Sequence, residues 1–429
     1  MSPRMVRTGR LPSLMLASPA VAAVTAQGLR MAVNLLVVKM IAVFIGPPGM
    51  GVLGHFMSLT TMVSVFAGGG IGNGITKYVA EYRGKPVRSL RFIGAAAAYG
   101  LIFSLLILCV SVVFRAAIST ALFGDQRYAW LLPALGVAQL FCFVGTAVIA
   151  IANGQQKSAL FAIISIVGYV GSLPVVYLLI TCCGIQGAAL ALMLVISCTG
   201  IPALWVAARS PVTRLMPLRI RASDVRKLGR FSVMLIVSAS VFPMTEIAIR
   251  NHLIQLLGIE AAGLWQAMTR LSGAYLGFFS VFLATNFMPR LSGLFDTDAV
   301  VREVRTMLLR IGLAFVVFAC VLYFLQGFVI KLLFSDAFSG MSALFGWQLV
   351  GDFCRVLAYV IGFLGVAKAA VGLYIGAEVL QAGLYGTLTY LVLNHGGGLQ
   401  QVAQVYALTY FVYLCIAIVG LALYQRGGR

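Results

Sequence analysis

The stretch FIGAAAAYGLIFSLLILCVSVVF fills residues 92–114, between Arg91 and Arg115, without one charged side chain. Coiled as an α-helix it would be about 35 Å long at about 1.5 Å per residue. That is enough to cross a hydrocarbon layer roughly 30 Å thick. It is apolar on every side rather than on alternate residues, which excludes a barrel strand and favours a helix surrounded by lipid and other helices.

Working outward, the same reading recurs along the chain. Twelve segments of membrane length fall near 21–45, 52–76, 92–114, 131–152, 159–180, 187–208, 231–256, 263–287, 307–327, 343–367, 372–393 and 401–424. Glycine and proline punctuate the junctions, as in Gly46-Pro47-Pro48-Gly49 and Gly396-Gly397-Gly398. The composition agrees: 61% of residues are hydrophobic and 10% are charged, against about 25% charged in soluble domains. The expected fold class is therefore an all-α integral membrane protein of twelve transmembrane helices. Arg4, Arg7 and Arg10 ahead of an apolar run resemble a signal peptide, but the run is too long and carries Arg30 and Lys39. An uncleaved first helix is expected.

The formal charge of +20 would suggest nucleic acid in a soluble protein. Here the bases sit in short loops between apolar runs, so no nucleic-acid partner is expected. One set of loops holds 23 Lys and Arg residues, the opposite set holds 3, and five more lie within helices. That bias, together with an even number of crossings, places both termini in the cytoplasm. The eight cysteines show no C-x-x-C spacing and the three histidines lie far apart in sequence. Neither a metal nor a redox site follows, and no cofactor is expected.

The chain also repeats. Gly46-x4-Gly51 returns as Gly258-x4-Gly263, Leu122-Phe123-Gly124-Asp125 as Leu333-Phe334-Ser335-Asp336, and Lys157 as Lys368, at offsets of 211 or 212. The repeat predicts two homologous halves of six helices, related by an axis along the membrane normal. The expected divisions are a cytoplasmic extension at 1–20, an N-terminal six-helix lobe at 21–208, a basic connector at 209–230, a C-terminal six-helix lobe at 231–424 and a cytoplasmic end at 425–429.

Charges inside membrane helices are costly, roughly 2.5–3.5 kcal/mol each at mid-helix on insertion scales. Those that persist face a partner or a wet cavity. Gln27, Arg30 and Asn34 form one polar stripe on the first helix. Glu246 and Arg250, spaced i, i+4, and Asp352 and Arg355, spaced i, i+3, can pair within their helices. Gln266 and Arg270 share another face, Glu378 stands alone, and Asn73 with Lys77 follows the Gly68-Gly69-Gly70 run. Two readings stand: internal ion pairs, or an anion site of Arg30, Asn34, Arg250, Arg270 and Arg355 lining a cavity. Arg30 and Arg270 have no acid nearby in their own helices and are the stronger ligands. Guanidinium stays charged and grips phosphate bidentately. Glu246, Asp352 and Glu378 are candidates for ion coupling, and Asn73 and Lys77 for a cytoplasmic gate or headgroup contact. The glycine run fits close helix packing. No P-loop and no catalytic motif is present, so neither ATP-driven transport nor an enzyme is expected.

Three stretches carry a family likeness: Gly72-Asn73-Gly74-Ile75-Thr76-Lys77-Tyr78-Val79-Ala80-Glu81-Tyr82, Phe345-Gly346-Trp347-Gln348-Leu349-Val350-Gly351-Asp352, and Tyr359-Val360-Ile361-Gly362-Phe363-Leu364-Gly365-Val366-Ala367-Lys368-Ala369. With the turn at 46–51, they resemble the Wzx-type flippases of the multidrug/oligosaccharidyl-lipid/polysaccharide exporter (MOP) superfamily. Within it the likeness is strongest to the lipid III flippases of enterobacterial common antigen biosynthesis, from about residue 20 onward. The resemblance implies two lobes in a V shape, as in the MATE transporters, working by alternating access in a bacterial inner membrane. The implied cargo is undecaprenyl pyrophosphate bearing an oligosaccharide, lipid III or a similar O-antigen unit, flipped from the cytoplasmic to the periplasmic leaflet. Arg30, Arg250, Arg270 and Arg355 would be its cavity cations. Membrane lipids, the polysaccharide polymerase and the chain-length machinery are the implied partners of a monomer. The rival readings are a cation-coupled drug exporter of the same superfamily, a membrane polysaccharide polymerase and a membrane scaffold. The surplus of base over acid within the helices argues against the drug exporter.

Overall fold

A computed structural model describes residues 19–210, 222–294, 296–367 and 371–427. The N-terminal extension, the middle of the basic connector and Lys368 lie outside the described residues. Every long element is helical. Among the described residues, seven stretches are long and apolar enough to span a membrane. Two of them, Thr25–Glu81 and Ala159–Arg209, have 57 and 51 residues. A straight helix of the first length would measure about 85 Å, nearly three bilayer cores.

Glycine resolves this excess. Helix α1 (Pro19–Phe66) breaks at Gly46, whose φ of 73° is left-handed. Helix α6 (Ser158–Ser197) breaks at Gly184, with φ 54°. Side chains with a Cβ rarely adopt such angles. The segments expected at 21–45 and 52–76 are thus the two arms of α1. The second arm ends at Phe66 rather than running to 76: a tight turn at Ala67–Gly70 separates it from α2 (Gly72–Glu81).

The rest of the N-terminal half is α3 (Pro86–Val113), α4 (Arg115–Phe123), α5 (Leu131–Gly154), α6 and α7 (Gly200–Arg209). The C-terminal half begins with α8 (Ala222–Leu257) and α9 (Ile259–Phe282). A π-helical turn at Leu283–Phe287 leads into α10 (Met288–Ser292). Then follow α11 (Thr297–Phe324), α12 (Gln326–Leu333), α13 (Ser342–Ala367), α14 (Val371–Asn394) and α15 (Leu399–Gly427). Helices α8, α9 and α14 reach spanning length but are less apolar. They carry Glu246, Arg250, Arg270 and Glu378, the residues expected to face inward.

Lipid-facing surfaces show the inverse of a soluble protein's exterior. On α11, Leu309, Leu313 and Phe324 are 76%, 70% and 84% exposed. In a membrane this exposure is solvation by acyl chains.

The two halves meet along α1, α8 and α9. Gly54 on the second arm of α1 lies against Arg250 of α8, and Gly70 beyond that arm lies against Leu235. Gly277 of α9 faces Met31 on the first arm. The turns themselves interlock. A Cβ on Gly51 would sit 2.5 Å from the Ile259 carbonyl oxygen, and one on Gly263 would sit 1.9 Å from that of Pro47. With an offset of 212, position 47 corresponds to 259 and 51 to 263, so the contact is reciprocal. The hinge glycines Gly46 and Gly258 share the left-handed conformation, with φ 73° and 88°. The same offset sets the irregular turn that ends at Gly70 next to the π-turn that starts at Leu283.

The Gly68-Gly69-Gly70 run serves the close packing expected of it and also makes a turn. All three residues are left-handed, at φ 65°, 76° and 68°. A Cβ on Gly68 would lie 2.0 Å from the Phe143 ring, and one on Gly69 would lie 2.9 Å from that of Tyr99.

Candidate functional site

Two buried polar clusters stand where the halves meet and in the core of the C-terminal half. In the first, Arg250 is 0% exposed although it is among the largest side chains present. Its Nε donates to Gln266 Oε1 at 3.2 Å and its Nη2 to the same oxygen and to Ser58 Oγ at 3.3 Å. Nη1 is 3.4 Å from His55 Nδ1, and the guanidinium lies 5.6 Å from the centre of the Trp265 ring. Ser58 Oγ in turn donates to Glu246 Oε2 at 3.1 Å. His55 and Ser58 come from α1, Glu246 and Arg250 from α8, and Gln266 from α9.

The second cluster gathers on Asp352 of α13, also 0% exposed. Its carboxylate accepts from Ser272 Oγ at 2.8 Å, from Tyr406 OH at 2.7 Å and from Tyr275 OH. Arg355 donates through Nε to Tyr359 OH at 2.8 Å and through Nη1 to Tyr406 OH at 3.0 Å. Its guanidinium lies 4.9 Å from the ring centres of both Phe242 and Tyr410. Between the two clusters a small gap is lined by Phe242, Glu246, Trp265, Thr269, Arg355 and Tyr385, among others.

Neither expected ion pair forms directly. The ion pairs among the described residues are Arg127–Asp125, Arg290–Glu303 and Lys331–Asp336, all with solvent access. In the helices a hydroxyl stands between acid and base each time: Ser58 between Glu246 and Arg250, Tyr406 between Asp352 and Arg355. A hydroxyl can donate to the carboxylate and accept from the guanidinium at once. Each charge then keeps a hydrogen-bonded partner, which a buried ion requires.

The five arginine and asparagine positions expected to hold an anion therefore separate. Arg250 is enclosed, with every guanidinium nitrogen against a protein group, and Arg355 is caged by tyrosines. Arg270 is different. Its Nε and Nη2 are buried without a hydrogen-bond partner, within electrostatic reach of Glu246. Arg30 and Asn34 are exposed on α1, and the Arg30 charge reaches Cys142, Tyr169 and Cys198 on α5 and beyond. Glu378 keeps one buried carboxylate oxygen unpartnered. Asn73 and Lys77 are exposed on α2, and Lys77 lies 5.5 Å from the Tyr78 ring centre. His55, Ser58, Ser272, Tyr275 and Tyr406 were not legible as site residues. Isolated hydroxyls in apolar segments form no pattern, and His55 has no sequence neighbour that gives it a role.

This is the architecture of a helical membrane transporter with a polar seam between two halves. The chain belongs to the polysaccharide biosynthesis protein family, whose sequence pattern matches residues 18–295. It is 34% identical over 395 residues to the lipid III flippases of Escherichia coli (strain K12) and Shigella flexneri, over 92% of this chain and 95% of each relative. Its fold is similar to an inward-facing multidrug resistance MATE family transporter of the MOP superfamily, with TM-score 0.76, 12% identity and 96% and 99% of the two chains covered. It is likewise similar to the lipid II flippase MurJ in an inward closed conformation, with TM-score 0.73, 13% identity and 94% and 87% covered. The all-α MOP fold and the Wzx-type resemblance expected from the sequence are borne out, and the protein is a multi-pass membrane protein.

Proposed function

We propose that this protein flips a polyprenyl-pyrophosphate-linked oligosaccharide, lipid III or a close relative, across a bacterial inner membrane. The observation that carries the reading is Arg270 of α9, a guanidinium with two buried nitrogens that have no hydrogen-bond partner. A buried donor without an acceptor costs about 1–3 kcal/mol, more when charged. A pyrophosphate oxygen would supply the missing acceptor in charge-assisted bonds. Arg30 and Asn34 on the facing helix supply a second, exposed handhold. In this reading Arg250 and Arg355 hold the scaffold and set the field, rather than gripping the cargo.

The physics suits such a cargo. A diphosphate diester carries about two negative charges, and bare passage through hydrocarbon would strip their hydration at great cost. A cation-lined path replaces that hydration while the prenyl tail stays in lipid. With both termini cytoplasmic, outward movement of an anion runs with an inside-negative potential, gaining about 2.3 kcal/mol per charge per 100 mV. The two six-helix lobes would rock about the seam of α1, α8 and α9. Glu246, Asp352 and Glu378 are the groups available for ion coupling, and the exposed Asn73 and Lys77 are the groups available for a cytoplasmic gate or headgroup contact. The polymerase and chain-length machinery would take up the product.

The test is a leaflet-sidedness assay in liposomes with a fluorescent lipid-linked sugar. Purified protein should speed the appearance of label in the outer leaflet, and Arg270→Ala should abolish the effect. A cationic drug accumulating in its place would favour the exporter reading.

A further inference from the structure

A cavity of about 360 Å³ opens between α8 and α14, within the C-terminal half and away from both polar clusters. Its walls include Ala248 and His252 on α8 and Gly383, Gly386, Thr389 and Tyr390 on α14. On α8 these positions face away from Arg250. At about 100° per residue, Ala248 and Arg250 lie roughly 160° apart. Tyr390 of the lining is 56% exposed, and Met244 and Leu391, which adjoin lining residues in sequence, are 59% and 47% exposed. Such a rim belongs to a surface that meets acyl chains.

The lining changes character along the helix. At the Asn394 end, His252 Nε2 lies 2.9 Å from Asn394 Oδ1 and its ring stacks on Tyr390 at 4.7 Å. Aromatic and amphipathic groups of this kind sit at headgroup level. Deeper, roughly 7 Å below Asn394 at about 1.5 Å per residue, comes Thr389. It is 1% exposed, and its Oγ1 has no hydrogen-bond partner. Deeper still, Gly383 leaves a bare wall, where a Cβ would meet nothing within 4 Å, and Gly386 packs on the Thr245 methyl.

We propose that this crevice is a binding site for one ester-linked diacyl phospholipid. Its headgroup lies at His252 and Asn394, an ester carbonyl accepts from Thr389 Oγ1, and an acyl chain fills the space over Gly383. The order of polar rim, buried hydroxyl and bare apolar wall follows the order of headgroup, ester and chain in a phospholipid. A prenyl chain has no acceptor to offer Thr389. The bound lipid wedges α14 against α8, the helix that carries Glu246 and Arg250 on its other face.

Native mass spectrometry of the full-length protein, released from nanodiscs of dioleoyl phosphatidylglycerol or of its ether-linked counterpart, tests the site. The wild type should retain one ester lipid more than Gly383→Leu, whose side chain fills the crevice. It should hold the ether lipid at least threefold less often. Thr389→Val keeps the side-chain shape and should erase that preference. Equal lipid counts in wild type and Gly383→Leu would overturn the proposal. So would equal retention of ester and ether lipids by the wild type, or one-for-one displacement by undecaprenyl phosphate. If Gly383→Leu does not fold, the Thr389→Val comparison decides alone.

Discussion

Tyr406 separates Asp352 from Arg355: its hydroxyl is 2.7 Å from the carboxylate and 3.0 Å from the guanidinium. Acid and base one helical turn apart are thus joined through a residue 51 positions further along the chain. Tyr406→Phe removes both bonds and leaves two buried charges short of a partner. The expected loss is about 1–3 kcal/mol, read as a lower melting temperature in detergent. Tyr359→Phe takes one bond from Arg355 and none from Asp352, so its loss should be smaller. Equal melting temperatures for Tyr406→Phe and the wild type would remove the bridge from the account.

Arg250→Ala should be among the most damaging single changes at the seam. It strips partners from Gln266, Ser58 and His55 together and removes one of the two bases, with Arg270, within electrostatic reach of Glu246. Removing one member of a buried charged network costs about 3–5 kcal/mol. Thermal unfolding and expression level both report it. Ser58→Ala, which breaks the link to Glu246, should cost less than Arg250→Ala.

Arg270 should show the opposite balance of stability and function. Arg270→Met removes a charge whose buried nitrogens have no partner, so the melting temperature should hold or rise. Flipping in liposomes should fall at least tenfold, which corresponds to about 1.4 kcal/mol or more in the barrier. A variant that flips at the wild-type rate would exclude this guanidinium from cargo binding. Arg30→Ala should also lose flipping while inserting normally.

The glycine run gives a steric prediction. Gly68→Ala puts a methyl 2.0 Å from the Phe143 ring at a left-handed position. Folding should fail or weaken severely, and Phe143→Ala should restore it in part by making room. Gly273→Ala meets nothing within 4 Å and has no left-handed φ, so that protein should fold and flip as the wild type does.

The helical class was legible because lipid imposes a coarse rule: long apolar runs separated by basic loops. The turns were legible because Gly46 and Gly258 are needed for φ values that other residues avoid. The inward-facing charges could be named from their cost alone, but their partners could not. Ser58, Tyr275 and Tyr406 reach Glu246 and Asp352 from other helices, over separations of 188, 77 and 54 residues. Helical spacing describes neighbours on one helix and is silent about a hydroxyl delivered from another. It therefore allowed ion pairs at i, i+3 and i, i+4, as one of two readings, where the fold inserts a bridge. The distinction between Arg250 and Arg270 was hidden for the same reason. Both are arginines on polar helices, and only packing shows that one is fully engaged and the other open.

The interlocked turns place backbone directly on backbone. Pro47 abuts Gly263 and Ile259 abuts Gly51, with no side chain between. Such a joint is self-complementary. A half-length polypeptide with this turn could clasp a second copy of itself through the same two touches, so fusing two copies end to end would ask for no new surface. Once fused, each half is free to diverge everywhere except at the clasp, where any added methyl strikes a carbonyl. That leaves one half able to specialise in buried charge while the other stays largely apolar.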